Sequence, residues 1–308
     1  MISIGIPAFK PDFLEDAIVS VLEQTYSDFE LIIVDDNPQV RLDKIVSKFS
    51  DSRVRYYKNS TNLGLTSPVK NWNTCLQYAK GEYFILFSDD DVYHKDFLNE
   101  LMFLTQKYPL VSIFHSRVVK IDEKNNIIGL TPTCPEYETS LDFIWHTLHG
   151  FRNLFAIEFL CKTDALRRAG GFFDLPLAWG SDYITWFNVS LNSGIVFCPK
   201  PLSYWRNSGT NISSVGNTGL RLKALDGYRN WLTSYFNTYK TENILEQKMI
   251  VQCQDMLNSF FTKKREYLLS QEIIKIGLFR SLLRSFSFVK QYNLSIAKVI
   301  LNLIKGSF

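Results

Sequence analysis

Two apolar runs, each followed at once by clustered carboxylates, constrain this chain more than any other feature. Glu30-Leu31-Ile32-Ile33-Val34 leads into Asp35-Asp36-Asn37, and Tyr83-Phe84-Ile85-Leu86-Phe87 leads into Ser88-Asp89-Asp90-Asp91. Runs this short and this apolar read as strands buried on both faces. A further strand carries Ile2, Ile4 and Ile6 and is expected to end at Pro7, which has no N–H to give a ladder. Helical stretches lie between. From Phe13 to Gln24, residues Leu14, Ile18, Val21 and Leu22 share one face. Ser67-Pro68 reads as the N-cap and first-turn proline of a helix that runs toward Gly81, and Asp96 to Tyr108 reads as another. Val54 to Tyr57 is a shorter strand, and Val111 to Ile121 and Ile127 to Leu130 are strands joined through Glu123–Asn126. Strand–helix–strand alternation implies an α/β fold with a mostly parallel central sheet flanked by helices.

In open parallel sheets, ligands bind beyond the carboxyl ends of the strands. Parallel pairing would bring Pro7-Ala8-Phe9, Asp35-Asp36-Asn37 and Ser88–Asp91 to one rim, five carboxylates sharing a crevice with an aromatic ring. A single acid after a strand commonly caps the next helix. Three in a row after a buried run are harder to explain that way. Like charges that close need a counter-cation, and a hard divalent ion, Mn²⁺ or Mg²⁺, suits carboxylate oxygens. The chain has no G-x-G-x-x-G and no G-x-x-x-x-G-K-[ST], so neither a dinucleotide Rossmann site nor a P-loop is expected.

The 308 residues are 46% apolar and 21% charged, the balance of a globular protein with a large core. A net charge of +3 argues against a dedicated nucleic-acid binder. Cys75, Cys134, Cys161, Cys198 and Cys253 are odd in number and widely spaced, which fits a reducing, cytoplasmic setting without a disulfide framework. No secretory signal and no spanning apolar stretch are expected. The charge is uneven. From Thr262 to Phe308, nine Lys/Arg face two acids, a net of +7 that leaves −4 for the rest, and all ten prolines lie before Tyr204. The shift marks a boundary in the polar stretch after Ser208, giving domains 1–215 and 216–308, the second helical. There, Phe279, Leu282 and Leu283 interleave with Arg280 and Arg284. Two readings stand for these basic amphipathic helices: peripheral contact with the inner face of the cell membrane, or packing on the first domain or in a homodimer.

Several segments in order resemble family 2 glycosyltransferases: Ser3–Phe9, Ser20–Tyr26, Phe29–Asn37, Asn62-Leu63-Gly64 and Ala79–Asp91. The likeness covers roughly 1–215 and is more specific than any single motif. It implies the GT-A nucleotide-diphospho-sugar transferase fold with a helical C-terminal extension. It also implies inverting transfer of a sugar from a nucleotide-sugar donor, UDP-sugar favoured, to a saccharide or lipid-linked acceptor in cell-surface polysaccharide synthesis. By the same likeness Pro7 and Phe9 hold the nucleoside, with Phe9 in place of the usual tyrosine. Asp36 meets the base and Lys70 the diphosphate. Asp89 and Asp90 fall on the D-x-D region, where the register is open: Asp89-x-Asp91 fits literally, while alignment on Val92-Tyr93 favours Asp90. Asp90 and Asp91 are the metal-ligand candidates.

Inverting transfer needs a base opposite the leaving group. After Gly170-Gly171-Phe172, the family's motif falls on Trp179-Gly180-Ser181-Asp182, which makes Asp182 the base and Asp174 the fallback; Ser181 replaces a frequent Glu. Leu202–Arg206 resembles the tyrosine-arginine stretch, with Arg206 a diphosphate or structural residue and Ser208 where many members carry a metal-binding His. His146 and His149 read as structural rather than metal ligands. Trp145, Trp179 and Trp186 are candidates for the acceptor side or for the core. The serines at 88, 181 and 208 motivate an alternative: a catalytically weak nucleotide-sugar-binding subunit of a glycan assembly complex. A nucleotidyltransferase on a related fold ranks last, because no glycine-rich basic loop supports it.

Overall fold

The structure, a computed structural model, describes residues 1–64, 67–209, 217–276 and 287–299. The chain divides into two units, Met1–Ser214 and Val215–Phe308. The first runs β1 (Ile2–Ala8), α1 (Leu14–Leu22), β2 (Phe29–Asp35), α2 (Asp43–Val46), β3 (Val54–Lys58), α3 (Pro68–Tyr78), β4 (Tyr83–Leu86), β5 (Val92–Tyr93) and α4 (Phe97–Lys107). It continues through β6 (Ile113–Ile121), β7 (Ile127–Leu130), β8 (Tyr137–Glu138), α5 (Ser140–Leu148), β9 (Phe159–Lys162), α6 (Thr163–Arg168), α7 (Ser181–Ser190) and β10 (Ile195–Arg206).

All these strands join one sheet, whose main path is β3-β2-β1-β4-β9-β6-β10-β5. The block β3-β2-β1-β4 is parallel. β9 then inserts antiparallel to both β4 and β6, and β10 runs parallel to β6. Every residue of β2 is buried, as its continuous apolar run implies. Ile2, Ile4, Ile6, Leu31, Ile33 and Ile85 pack in one core with Leu14, Ile18 and Val21 of α1 and Phe97, Leu98 and Leu101 of α4. Each such side chain contributes roughly 1.5–3 kcal/mol of burial as an upper estimate.

The first strand does not end at Pro7. It pairs with β2 through Ala8↔Asp35, whereas its pairing with β4 stops at Gly5↔Leu86. The N–H of Ile2 and the carbonyl of Ala8 both face β2, and the carbonyl of Gly5 faces β4. Odd positions therefore point at β4, and the N–H that Pro7 lacks falls where that ladder has already closed. The helix after Ser67 begins at Pro68 as expected, but the Ser67 side chain does not cap it. Its hydroxyl donates instead to Asp174 Oδ1 at 2.6 Å.

The second unit contains α8 (Thr218–Thr238) and α9 (Ile244–Ile276). The helix expected from Ile244 to Leu257 thus runs nineteen residues further. Phe279, Arg280, Leu282, Leu283 and Arg284 lie outside the described residues. Among the described residues, no helix is long and apolar enough to cross a membrane.

Candidate active site

Because β1, β2 and β4 are parallel, their carboxyl ends open on one edge, and the polar residues that follow meet there. Asn37 Nδ2 donates to the carbonyl of Phe9 at 2.7 Å and ties the first two ends together. Asp89 Oδ2 accepts the backbone N–H groups of Phe9 and Lys10, both at 2.7 Å, and ties the first to the third. Pro7 is half-buried there, and the ring of Phe9 stands 47% exposed at the rim, free to offer a face to a ligand.

Asp89, Asp90 and Asp91 are all buried. The Lys10 ammonium hydrogen-bonds Asp90 Oδ2 and lies 3.5 Å from Asp89 Oδ1. Ser208 Oγ donates to the same Asp90 oxygen at 2.9 Å. Burial works against the charge on Lys10, but Asp89 and then Asp90 outweigh it and raise its pKa. Burial, and next the charge of Asp90, drives Asp91 well above the carboxylate range. Arg206, fully buried, closes the far side. Its amide donates to Asp91 Oδ1 at 2.7 Å, its Nε to the Asp90 carbonyl at 2.7 Å and its Nη1 to Asn125 Oδ1 at 2.6 Å, while its guanidinium lies 4.2 Å over the Phe13 ring.

Asp36 is committed to its own loop. Oδ1 accepts from Asn59 Nδ2 at 2.7 Å and from the Leu63 amide at 2.8 Å, and Oδ2 accepts from the Gly64 amide at 2.6 Å. A Cβ on Gly64 would stand 3.0 Å from that oxygen, which explains glycine in Asn62-Leu63-Gly64. Lys70 stands exposed on the first turn of α3.

The expected base is positioned separately. Gly171 has φ +80°, and a Cβ there would meet Asn73 Oδ1 at 2.5 Å. The same Asn73 oxygen accepts the Phe172 amide at 2.9 Å and so holds the Gly-Gly-Phe turn against α3. Leu177 (φ 57°) and Ala178 (φ 56°) then adopt left-handed backbone without being glycine, a strain of the kind that collects at functional sites. Asp182 follows in the first turn of α7 and accepts the Tyr183 amide at 3.0 Å. Ser181, fully buried, accepts the Leu175 amide at 3.1 Å, so this serine braces the preceding turn.

A buried polar group near Asp182 was not anticipated from the sequence. Burial pushes Glu158 well above the carboxylate range, and the charge of Asp182 adds to this. Glu158 Oε2 lies 3.6 Å from His115 Nδ1, and His115 stacks on Phe159. Both share a small cavity with Arg152, which pairs with Glu138. His146 Nδ1 lies 2.5 Å from Glu138 Oε1, and the ring of His149 stacks on Trp145 with centroids 3.7 Å apart. Trp186 belongs to the core.

Burial, then Arg152, depresses His115 from 6.5 to about 3. The unfolded chain therefore binds a proton below pH 6.5 that the folded chain refuses, so acid favours unfolding from pH 6.5 down to about 3. Between pH 7.5 and 5.5 this costs about 1.4 kcal/mol. Urea titrations of His115→Phe should show that loss removed, and an unchanged pH dependence would contradict the assignment.

The donor set suits a hard divalent ion. Its side chains offer only carboxylate and hydroxyl oxygens, and among the described residues no donor reaches the buried Asp91 Oδ2. Among those residues, however, no group of three His, Cys, Asp or Glu side chains is disposed to hold a metal unaided. Asp90 and Asp91 therefore offer a hard divalent ion two protein carboxylates at most, and the remaining oxygens would have to come from elsewhere.

The family model described as Glycosyl transferase family 2 matches residues 3–172, more than half of the chain, and the chain belongs to that family. WfgD of Escherichia coli, a UDP-Glc:alpha-D-GlcNAc-diphosphoundecaprenol beta-1,3-glucosyltransferase, is 26% identical over 218 residues, 70% of this chain and 80% of WfgD. An uncharacterized glycosyltransferase of Rickettsia typhi is 25% identical over 284 residues, 89% of this chain and 83% of the relative. S. aureus TarS 1-349 in complex with UDP-GlcNAc has a TM-score of 0.69 at 17% identity, over 98% of this chain and 89% of TarS 1-349. The mannosyltransferase PcManGT of Pyrobaculum calidifontis, in complex with GDP-Man and Mn²⁺, has a TM-score of 0.58 at 15% identity, over 99% of this chain and 86% of its own. The fold is GT-A, and the family makes this chain a glycosyltransferase.

Proposed function

We propose that the protein moves a sugar, with inversion, from a nucleotide-diphosphate sugar to a hydroxyl of a saccharide or lipid-linked saccharide acceptor, in cell-surface polysaccharide synthesis on the cytoplasmic side of the membrane. The observation that carries this reading is the rim where three parallel strand ends bring Phe9, the Asp36 loop and Asp89–Asp91 together. A UDP-sugar is the first donor to test, because WfgD is named for one and TarS was solved with one. In this reading residues 1–215 carry the reaction and 216–308 form a separate helical domain.

Pro7 and Phe9 seat the nucleoside, the exposed ring stacking on the base. Asp36 shapes the base pocket through the Asn59–Gly64 loop, and the remaining lone pair on Oδ2 can accept from the base. Lys70 attracts the diphosphate. Asp90 and Asp91 would hold Mn²⁺ or Mg²⁺, which supplies positive charge to offset that building on the departing diphosphate. Asp89 keeps the first and third strand ends in register. Asp182 takes the acceptor hydroxyl proton as that oxygen bonds to the anomeric carbon. The anomeric carbon–oxygen bond breaks on the opposite face, and its electron pair leaves with the nucleoside diphosphate.

Calorimetric titration of UDP, GDP, dTDP and CMP, with and without Mn²⁺, tests the donor site. One nucleotide should bind in a metal-dependent way, and Asp90→Ala should weaken it at least about tenfold. A folded protein that binds none of them would overturn the reading.

A further inference from the structure

The acidic rim already contains a cation of its own. Lys10 Nζ bonds Asp90 Oδ2, the oxygen of the leading metal-ligand candidate. Ser208 Oγ occupies the same oxygen, so its acceptor capacity is spent. The other buried cation at the cluster, Arg206, is committed to the Asp90 carbonyl, Asn125 and the face of Phe13. The direct side-chain pairing with the Asp90 carboxylate is made by Lys10. Its backbone is fixed, because its own amide and that of Phe9 both bond Asp89 Oδ2. Only the four-carbon stem is left to move, and the side chain is 21% exposed, so the ammonium has a route outward.

We propose that Lys10 is a resident counter-cation that must leave Asp90 before a divalent metal can bind, so that the metal and the nucleotide diphosphate enter together. The inference rests on the donor-site reading above. An ammonium and a divalent ion cannot share one carboxylate oxygen, since like charges a few ångströms apart repel strongly in a buried setting. Metal entry without a nucleotide would strand the displaced ammonium next to the ion. A diphosphate gives that ammonium an anionic partner on the same rim. Asp91 Oδ2 supplies the second protein oxygen for the metal. The two binding events are then linked, each raising the affinity of the other by the same factor. The choice of Lys also fits, because a compact charge on a flexible stem can change partners where a forked guanidinium would be held in place.

The test begins with Mn²⁺ alone, followed by paramagnetic resonance of the free ion, on nucleotide-free wild type, Lys10→Met and the double variant Lys10→Met/Asp90→Asn. Lys10→Met should bind Mn²⁺ at least about tenfold more tightly than wild type, and the double variant should lose that gain. Adding UDP should sharpen Mn²⁺ binding in both proteins, because the diphosphate is itself a ligand, but by a several-fold larger factor in wild type, where it also receives the displaced ammonium. An affinity in Lys10→Met equal to or below that of wild type overturns the proposal. Nucleotide binding by wild type in Mn²⁺ is the separate control: if it persists while Lys10→Met shows no gain, Lys10 loses this role and the donor site stands. If no nucleotide binds, both fall. Should Lys10→Met not fold, the wild type decides. Mass spectrometry after brief treatment with an acetylating ester should show Lys10 labelled several-fold faster once Mn²⁺ is raised high enough to saturate the nucleotide-free protein. An unchanged rate overturns the exchange.

Discussion

Replacing Asp182 by Asn should lower turnover by about 10³-fold while leaving nucleotide binding within about twofold of wild type. The substitution keeps the shape of the side chain and an oxygen for the Tyr183 amide, so the opening of α7 is retained. What it removes is the proton acceptor. The first turn of a helix favours the ionised carboxylate. Burial pushes the neighbouring Glu158 carboxyl well above its usual range, and the charge of Asp182 adds to that shift. The measurement is transfer from the nucleotide sugar that binds to an acceptor found by screening, with calorimetry of the nucleotide on the same variant. Unchanged turnover would remove Asp182 from the chemistry and leave Asp174, whose carboxylate is engaged by Ser67, as the residue to test. Loss of nucleotide binding would instead mean that Asp182 supports the donor site.

The parts of the site that could be read from the sequence are those in which chemistry directly follows a local pattern. β2 and β4 are apolar runs with acids attached, and parallel pairing is sufficient to bring Asp36 and Asp89–Asp91 to one edge. Gly170-Gly171-Phe172 was legible only through the family likeness, and the structure supplies its reason, since the backbone at Gly171 admits little else. β9 and β10 escaped notice. β9 is a four-residue strand, and β10 carries Pro199 and Pro201, which look like breaks. The sheet accommodates these prolines with register shifts on either side of Pro201, so the strand continues to Arg206. Side-chain partners were harder still. Lys10 and Asp90 are 80 residues apart, and nothing local to Lys10 marks it as a counter-ion. Ser181 and Ser208 stood out only as substitutions for family residues. Their present work, bracing Leu175 and bonding Asp90, depends on tertiary placement. The same holds for His115 and Glu158, which meet only once β6 and the turn before β9 are packed.

Arg206→Met should cost about 3–5 kcal/mol of stability. Methionine fills much of the volume and can still pack on Phe13, so the loss isolates the guanidinium. That group has no solvent exposure, and it donates from Nε to the Asp90 carbonyl and from Nη1 to Asn125 Oδ1, two acceptors in different segments. Removing it strands the buried Asp90 carbonyl, releases the exposed Asn125 to water and takes one positive charge from beside three carboxylates. The Arg206 amide bond to Asp91 would remain, since it belongs to the backbone. Arg206→Lys separates charge from geometry. A lysine keeps the charge, but a single ammonium cannot span two acceptors that a planar fork reaches together. Because the two hydrogen bonds run in different directions, most of the loss should persist in Arg206→Lys. Urea unfolding of the three proteins at one pH measures it. A lysine variant as stable as wild type would mean that charge alone matters at this position, and a methionine variant as stable as wild type would mean that the rim is held without Arg206. The ordering predicted here, arginine well above lysine and lysine slightly above methionine, follows from treating the far side of the acidic rim as a hydrogen-bonded brace. The exchangeable charge lies on the near side, with Lys10.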